Sequence, residues 1–295
     1  AAGEIFALLG PNGAGKSTTV RILTTLASAT SGRAAVAGYD VTRKPWDVRR
    51  RIGYVAQTSG VDPLVTGREN LQLQGQIFRL PTDQLSQRVN ELLDLFQLSD
   101  DADRLVENYS GGMKRRLDLA MGLIHRPQVL FLDEPTTGLD PQSRQVMWQE
   151  VRRLAEDGLT LLLTTHYLEE ADQLAQRLAI IDHGAMVAEG SPEELKGGLR
   201  GDVISVELQD PSRTTEAITA IEAIDGVSSV MRSGKELYAR VAHGASAVPA
   251  VVGVLEKTSL EIVQISLSRP SLDDVYLDAT GHSFQVTGRP AEGGS

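Results

Sequence analysis

Two glycine-bearing stretches in this chain are built to hold an anion: GPNGAGKST at Gly10 to Thr18 and NYSGGMKRR at Asn108 to Arg116. The first fits G-x-x-x-x-G-K-[ST], in which backbone N–H groups wrap phosphates because glycine tolerates the backbone angles required. Gly10, Pro11, Asn12, Gly13, Ala14, Gly15, Lys16, Ser17 and Thr18 are therefore the expected cradle for a nucleoside triphosphate. Lys16 is expected to reach the outer phosphates and Ser17 to hold Mg²⁺, while the following helix adds the positive end of its dipole.

VLFLDEP, Val129 to Pro135, is an apolar strand ending in two carboxylates. Such a strand delivers Asp133 to the metal and Glu134 to a water beside the last phosphate, which makes Glu134 the candidate general base. Gln57 ends RIGYVAQ and offers an amide to Mg²⁺ or to the attacking water; His166 ends LLLTTH and offers a donor to the terminal phosphate. Taken singly, a Gln or His at a strand end also serves as a plain polar cap. Ser110, Gly111 and Gly112 stand immediately before the helical stretch MKRRLDLAMGLIH, so they form either a simple N-cap or a second helix-start anion site. The first cradle covers its phosphates from one side only, and a second chain related by a two-fold could bring its serine-glycine loop to the other.

These residues need a frame to hold them. EIFALL (Glu4 to Leu9), RIGYVAQ, QVLFLDEP, TLLLTTH and RLAIIDHG are short apolar runs, each ended by polar or glycine residues. Their alternation with helical stretches predicts a mostly parallel sheet covered on both faces, with the first helix over Lys16 to Ala27. From Thr66 to Arg126 the apolar spacing becomes helical, which predicts an inserted subdomain at 66–126. The glycine-rich join LKGGLRGD closes a first domain at 1–197. Residues 202–280 then read strand, helix, strand, strand, helix, strand, the ferredoxin-like order, with a short helix at Ser271 to Ala279, and 281–295 is an expected flexible tail.

Bulk properties narrow the function classes. The formal net charge of -10 disfavours attraction to phosphate backbones, so no nucleic-acid partner is expected. The absence of cysteine excludes disulfides and thiolate chemistry. No apolar run approaches the roughly 20 residues that span a bilayer. The basic run RKPWDVRRR reads as a solvated helix face, and His125, His183, His243 and His282 lack metal-ligand spacing.

GPNGAGKST, Gln57, YSGGM, LFLDEP, GLD at Gly138 to Asp140 and His166, in that order, resemble the nucleotide-binding subunit of ATP-binding cassette transporters. TGRENL, YSGGMKRRLDLA, THYLEEADQLAQRLAIIDHG and RPSLDDVYLDATG are similar to the daunorubicin-resistance type of drug-export ATPase within that family. The resemblance implies an α/β fold: a P-loop cassette ATPase with a mostly parallel sheet and an inserted helical subdomain, followed by a small ferredoxin-like α+β domain. It implies ATP and Mg²⁺ as ligands and a head-to-tail pair of cassettes, most simply a homodimer. Ser110 to Gly112 would then serve the other chain's nucleotide, and Asp140 would lie at the seam. It also implies a separate transmembrane permease subunit that holds the protein at the cytoplasmic face of the membrane. Two departures stand out. Tyr109 and Met113 replace the outer residues of the usual L-S-G-G-Q signature, and the family's adenine-stacking aromatic and its strand precede the first numbered residue, so both are expected to be missing. Two other readings fit a cassette ATPase: a soluble protein acting on DNA or the ribosome, and a non-catalytic ATP-gated interaction module.

Overall fold

Short β-rich runs separated by helices build the first of two compact units, Ala1–Ala185 and Met186–Ser295, in a computed structural model that describes residues 3–199, 201–233 and 235–281. Apart from Gly281, the expected tail lies outside the described residues. In the first unit β1 (Ile5–Leu9) leads through the glycine loop to α1 (Lys16–Leu23). A small antiparallel pair follows, β2 (Ala35–Val36) with β3 (Tyr39–Asp40), then α2 (Pro45–Arg49) and β4 (Ile52–Val55). Helices α3 (Gly67–Ile77), α4 (Thr82–Leu95) and α5 (Gly111–Leu123) come next. They are followed by β5 (Val129–Asp133), α6 (Pro141–Glu156), β6 (Thr160–Thr165), α7 (Leu168–Leu174) and β7 (Arg177–Asp182).

Strands β4, β5, β6, β1 and β7 lie side by side in that order, all parallel. A parallel sheet with helices on both faces buries side chains on both sides of its central strands, which is why β5 carries the unbroken run Leu130, Phe131, Leu132, all buried. Its second consequence is directional. All five strands end at one edge, so the segments after Leu9, Val55, Asp133 and Thr165 emerge together.

Helix α1 stops at Leu23, short of the expected Ala27. Thr24 turns its hydroxyl back onto Val20 O and Arg21 O, and Thr25 takes a left-handed φ of 64°, so the chain leaves the helix there. The inserted helices begin with a capping box between Thr66 and Glu69 and bury Leu71, Leu85, Val89, Leu92, Phe96, Leu117 and Ile124. Helix α5 sits directly on β4. A Cβ at Gly53 would stand 2.3 Å from Gly122 O, so only glycine admits that approach.

Strand β8 (Ala185–Gly190) begins at the last residue of the first unit; after it the second unit runs α8 (Pro192–Gly198), β9 (Asp202–Leu208), α9 (Thr214–Glu222), β10 (Val227–Ser233), β11 (Glu236–Val241), α10 (Gly244–Lys257), β12 (Ile262–Ser268) and α11 (Leu272–Thr280). The antiparallel order β10-β11-β9-β12, with the two strand-helix-strand passes, is the ferredoxin-like arrangement. Ile204, Val206, Ala217, Ile221, Leu237, Ala239, Val251 and Leu255 fill the space between this sheet and its helices. Ser271 caps α11 through a capping box with Asp274.

Both tryptophans, Trp46 and Trp148, belong to the first unit, so their fluorescence reports its unfolding. Leu132 is fully buried at the centre of β5. Leu132→Ala should therefore cost about 2–5 kcal/mol in urea unfolding followed by tryptophan emission; a loss below about 1 kcal/mol would remove β5 from the centre of the core.

Candidate active site

The glycine loop turns through left-handed backbone at Gly13 and Gly15, with φ of 84° and 109°. It delivers the chain into α1, whose first turn has no side-chain cap. The loop is pinned by Gly10 N–H donating to Thr165 O at 3.3 Å and Gly184 N–H donating to Ala14 O at 3.0 Å. Asn12, Gly13 and Thr18 are exposed along it. Lys16, only 4% exposed, lies back over the loop and donates from Nζ to Gly10 O at 2.7 Å and to Pro11 O at 3.1 Å. Burial pushes its pKa below the usual lysine range, with Glu134 and Asp133 pulling it the other way.

Asp133 ends β5 and is buried. Its Oδ1 accepts from Thr164 Oγ1 at 2.5 Å and from Ser17 Oγ at 3.2 Å. A hydroxyl and a carboxylate that meet this closely are a hard-oxygen pair suited to a divalent cation. Glu134 follows with a left-handed φ of 49°, strained for a residue with a side chain, and its N–H donates to Thr164 O at 3.1 Å and Thr164 Oγ1 at 3.0 Å.

Four side chains converge on the Glu134 carboxylate. Gln57 Nε2 donates to Oε2 at 3.0 Å and Thr137 Oγ1 donates to it at 3.2 Å. His166 Nδ1 lies 3.0 Å from the same oxygen, close but without the alignment of a regular hydrogen bond. Lys16 Nζ stands 3.5 Å from Oε1. Burial raises the Glu134 pKa, but the imidazole of His166, the Lys16 ammonium and the Thr137 hydroxyl together outweigh it and hold the pKa below 4.5. The group is therefore ionised at neutral pH and can accept a proton from water.

The structure thus brings Lys16, Ser17, Gln57, Asp133, Glu134 and His166 into one cluster. Ser110, Gly111, Gly112 and Asp140 lie in a second group. Ser110 is the N-cap of α5, its Oγ accepting from Met113 N–H at 3.2 Å, and Gly111 and Gly112 open the helix. Asp140 caps α6, taking Ser143 N–H at 2.9 Å and Ser143 Oγ at 2.6 Å. The two caps adjoin: a Cβ at Gly112 would lie 3.0 Å from Ser143 Oγ. Among the described residues no hydrogen bond or ion pair joins this group to the Glu134 cluster. Tyr109, the atypical residue of the loop, is buried and donates to Asp101 O at 2.7 Å, so it anchors the loop rather than facing outward.

Sequence reasoning missed Thr164, Thr137 and a further carboxylate. Thr164 touches both acidic residues; its signal was a hydroxyl inside an otherwise apolar strand, which must find a partner when buried. Thr136 Oγ1 and Trp148 Nε1 donate to buried Glu170 Oε1 at 2.8 and 3.0 Å, tying the turn after Glu134 to α6 and α7. Burial pushes the Glu170 pKa up.

A parallel sheet whose strand ends present a glycine loop, two adjacent carboxylates, a Gln and a His defines an ATP-hydrolysing cassette. Residues 1–137 match the family described as ABC transporter, and residues 190–280 match the C-terminal domain described as ATP-binding protein DrrA1-3-like. The chain is 46% identical over 286 residues to the daunorubicin resistance ATP-binding protein DrrA2 of Streptomyces coeruleorubidus, covering 97% of this chain and 89% of that protein. It is 40% identical over 287 residues to the Nod factor export ATP-binding protein I of Paraburkholderia xenovorans, covering 97% and 90%. A dimeric ATP-binding cassette in a post-hydrolysis state bound to ADP and Pi aligns with a TM-score of 0.58 at 27% identity, over 65% of this chain and 86% of that one. The chain belongs to the ATPase subunits of ATP-binding cassette exporters, in the daunorubicin-resistance group.

The depressed Glu134 pKa has a consequence for stability. A carboxylate whose folded pKa lies below its unfolded value of 4.5 contributes stability that is present above 4.5 and lost as pH falls through the folded pKa. The stability difference between wild type and Glu134→Gln should therefore shrink as pH is lowered from 6 toward 3, in steps of ~1 pH unit of urea unfolding. A difference that stays flat or grows would show that Glu134 is not held ionised by its neighbours.

Proposed function

We propose that the cluster around Glu134 is the hydrolytic site of one cassette and that a second copy completes it. The observation that carries this is the single carboxylate oxygen, Glu134 Oε2, shared by Gln57, Thr137 and His166 while Lys16 stands at the other oxygen. Glu134 takes the proton of an attacking water; Gln57 places that water; His166 and Lys16 contact the terminal phosphate. Gly10 to Thr18 wrap the phosphates, with the uncapped start of α1 directed at them. Ser17, Asp133 and Gln57 would hold Mg²⁺, which would screen the phosphate charge.

Ser110, Gly111, Gly112 and Asp140 belong to the contact with the second copy. Their separation from the Glu134 cluster within one chain, and the uncovered start of α5, support this head-to-tail reading. The domain assignment proposed is a cassette at 1–197, with its helical subdomain at 66–126, and an accessory domain at 202–280.

No helix among the described residues is long and apolar enough to cross a membrane. The transport path is therefore assigned to a separate permease subunit, which holds the ATPase at the cytoplasmic face. A groove of about 880 Å³, lined by Trp46 and Arg49 of α2 and by Arg50 just after it, by Gln74 and Ile77 of α3, and by Phe78, Arg79 and His125, is the proposed seat for a permease helix. Trp46 and Ile77 are exposed there, 71% and 64%. The loop after Gln57 is not among the residues that line this groove. The cargo proposed is a drug, a lipid or another natural product.

Glu134→Gln should keep ATP bound while slowing phosphate release by about a hundredfold or more, and should accumulate an ATP-bound dimer in size-exclusion chromatography. Turnover within about twofold of wild type would remove Glu134 from the proton-accepting role.

The shared site is tested by mixing inactive chains. Gly111→Asp adds charge where the phosphate approaches, and the position is open, with Leu139 Cδ2 3.9 Å from an added Cβ, so the fold is spared. In a verified mixed dimer with Lys16→Ala, one composite site carries both defects and the other carries none, so activity should partly return. Activity at background, with single-site turnover shown independently, would place Ser110 to Gly112 in its own chain's site.

A further inference from the structure

Helix α5 does more than carry the serine-glycine loop at its head. Arg115 and Asp118, one turn further along, are both buried, with Arg115 Nη1 3.8 Å from Asp118 Oδ2. The guanidinium spends its donors on backbone carbonyls of two catalytic segments. Nη1 donates to Ala56 O at 2.6 Å, Nε to Pro135 O at 2.8 Å and Nη2 to Asp133 O at 3.3 Å. Ala56 immediately precedes Gln57, and Asp133 and Pro135 flank Glu134. Asp118 Oδ1 accepts from Gly60 N–H at 2.9 Å, and the Ser59 side chain also donates to this carboxylate. One turn of α5 therefore grips the Gln57 segment on both sides and the Glu134 segment on both sides.

Holding a helix to a sheet does not require this. Apolar side chains of the same volume would pack α5 on β4 without desolvating a cation and a carboxylate. What the charged pair adds is direction: three planar donors fix the two loops relative to the helix and to each other. We infer that Arg115, braced by Asp118, is a positioning residue that sets Gln57 and Glu134 of its own chain according to the placement of α5, so the loop engaged by the second copy is mechanically joined to the hydrolytic cluster behind it. This rests on the head-to-tail reading of Ser110 to Gly112. Lys16 and Ser17 are not among the groups that Arg115 touches, so ATP binding and hydrolysis separate.

The test uses full-length chains carrying Arg115→Gln, with Arg115→Lys as a milder second variant. A control, Arg88→Gln, removes a half-buried guanidinium at the far end of α5, where Arg88 donates to Leu123 O at 2.8 Å and Ile124 O at 3.4 Å. Arg115→Gln should lower kcat by about a hundredfold with the Kd for ATP changed less than about threefold, whereas Arg88→Gln lowers the unfolding midpoint and leaves kcat near wild type. Mixed dimers then show in which chain Arg115 acts. Its defect lies in the chain that holds the nucleotide, so Arg115→Gln should be complemented by Gly111→Asp, whose own cradle and cluster are intact, and should not be complemented by Lys16→Ala. The reverse pattern would mean that Arg115 merely supports the serine-glycine loop, and would overturn the inference. So would a matched loss of ATP affinity and kcat, or complementation by neither partner in the better folded of the two Arg115 variants. Failure of Lys16→Ala and Gly111→Asp to complement each other would instead overturn the head-to-tail reading itself.

Discussion

A carboxylate taken out of water at the end of a buried strand must be given partners, and the arrangement of this cassette follows from supplying them to Glu134. Leaving such a charge uncompensated would cost more than most single interactions return. Its partners come from four separate segments: the glycine loop after β1, the end of β4, the turn after β5 and the end of β6. Only a sheet in which those strands run the same way brings their ends together, and the chain's crossovers through helices serve that requirement. The interaction that organises the site is thus also a constraint on topology.

Most of this frame could be read in the sequence because parallel strands buried on both faces leave unmistakable apolar runs, because Asp133, Glu134, Gln57 and His166 each stand where such a run stops, and because Lys16 closes a glycine loop that begins at the end of another. What could not be read depends on distance in the chain. Thr164 bonds to residues 30 and 31 positions away, and no local pattern tells a threonine that satisfies a carboxylate from one that simply favours strands. Arg115 lies in a run of basic residues that looks solvated, yet its side chain turns inward and Arg116 beside it bonds to Phe96 O. The end of α1 was misplaced because Thr24 has an acceptable helix propensity and is diverted by its own hydroxyl. The seam residues were legible as loops, but the serine's capping bond to Met113 satisfies the local geometry without declaring what else approaches it.

The ferredoxin-like unit obeys a different logic. Its strands alternate buried and less buried positions, as Glu236 to Val241 shows, and its core of aliphatic side chains lies on the helix-covered face. The strand and helix order was legible from that alternation. Its charged side chains, such as Arg240 with Asp278 and Arg213 with the carbonyls of Thr258 and Ser259, tie neighbouring elements of the same unit together.

The backbone at Glu134 sets evolution against thermodynamics. A side chain held at φ 49° is strained, and glycine or asparagine would rest there more easily. Relief of that strain pulls toward a residue that cannot turn over, against the stability that the partnered carboxylate contributes at neutral pH. Drift at this position therefore relaxes the backbone at the cost of an inert cassette, and a strained glutamate persists only while hydrolysis itself is under selection. A close relative with glycine or asparagine here would be an ATP-responsive clamp with that turn relaxed, its fold intact and its clock stopped.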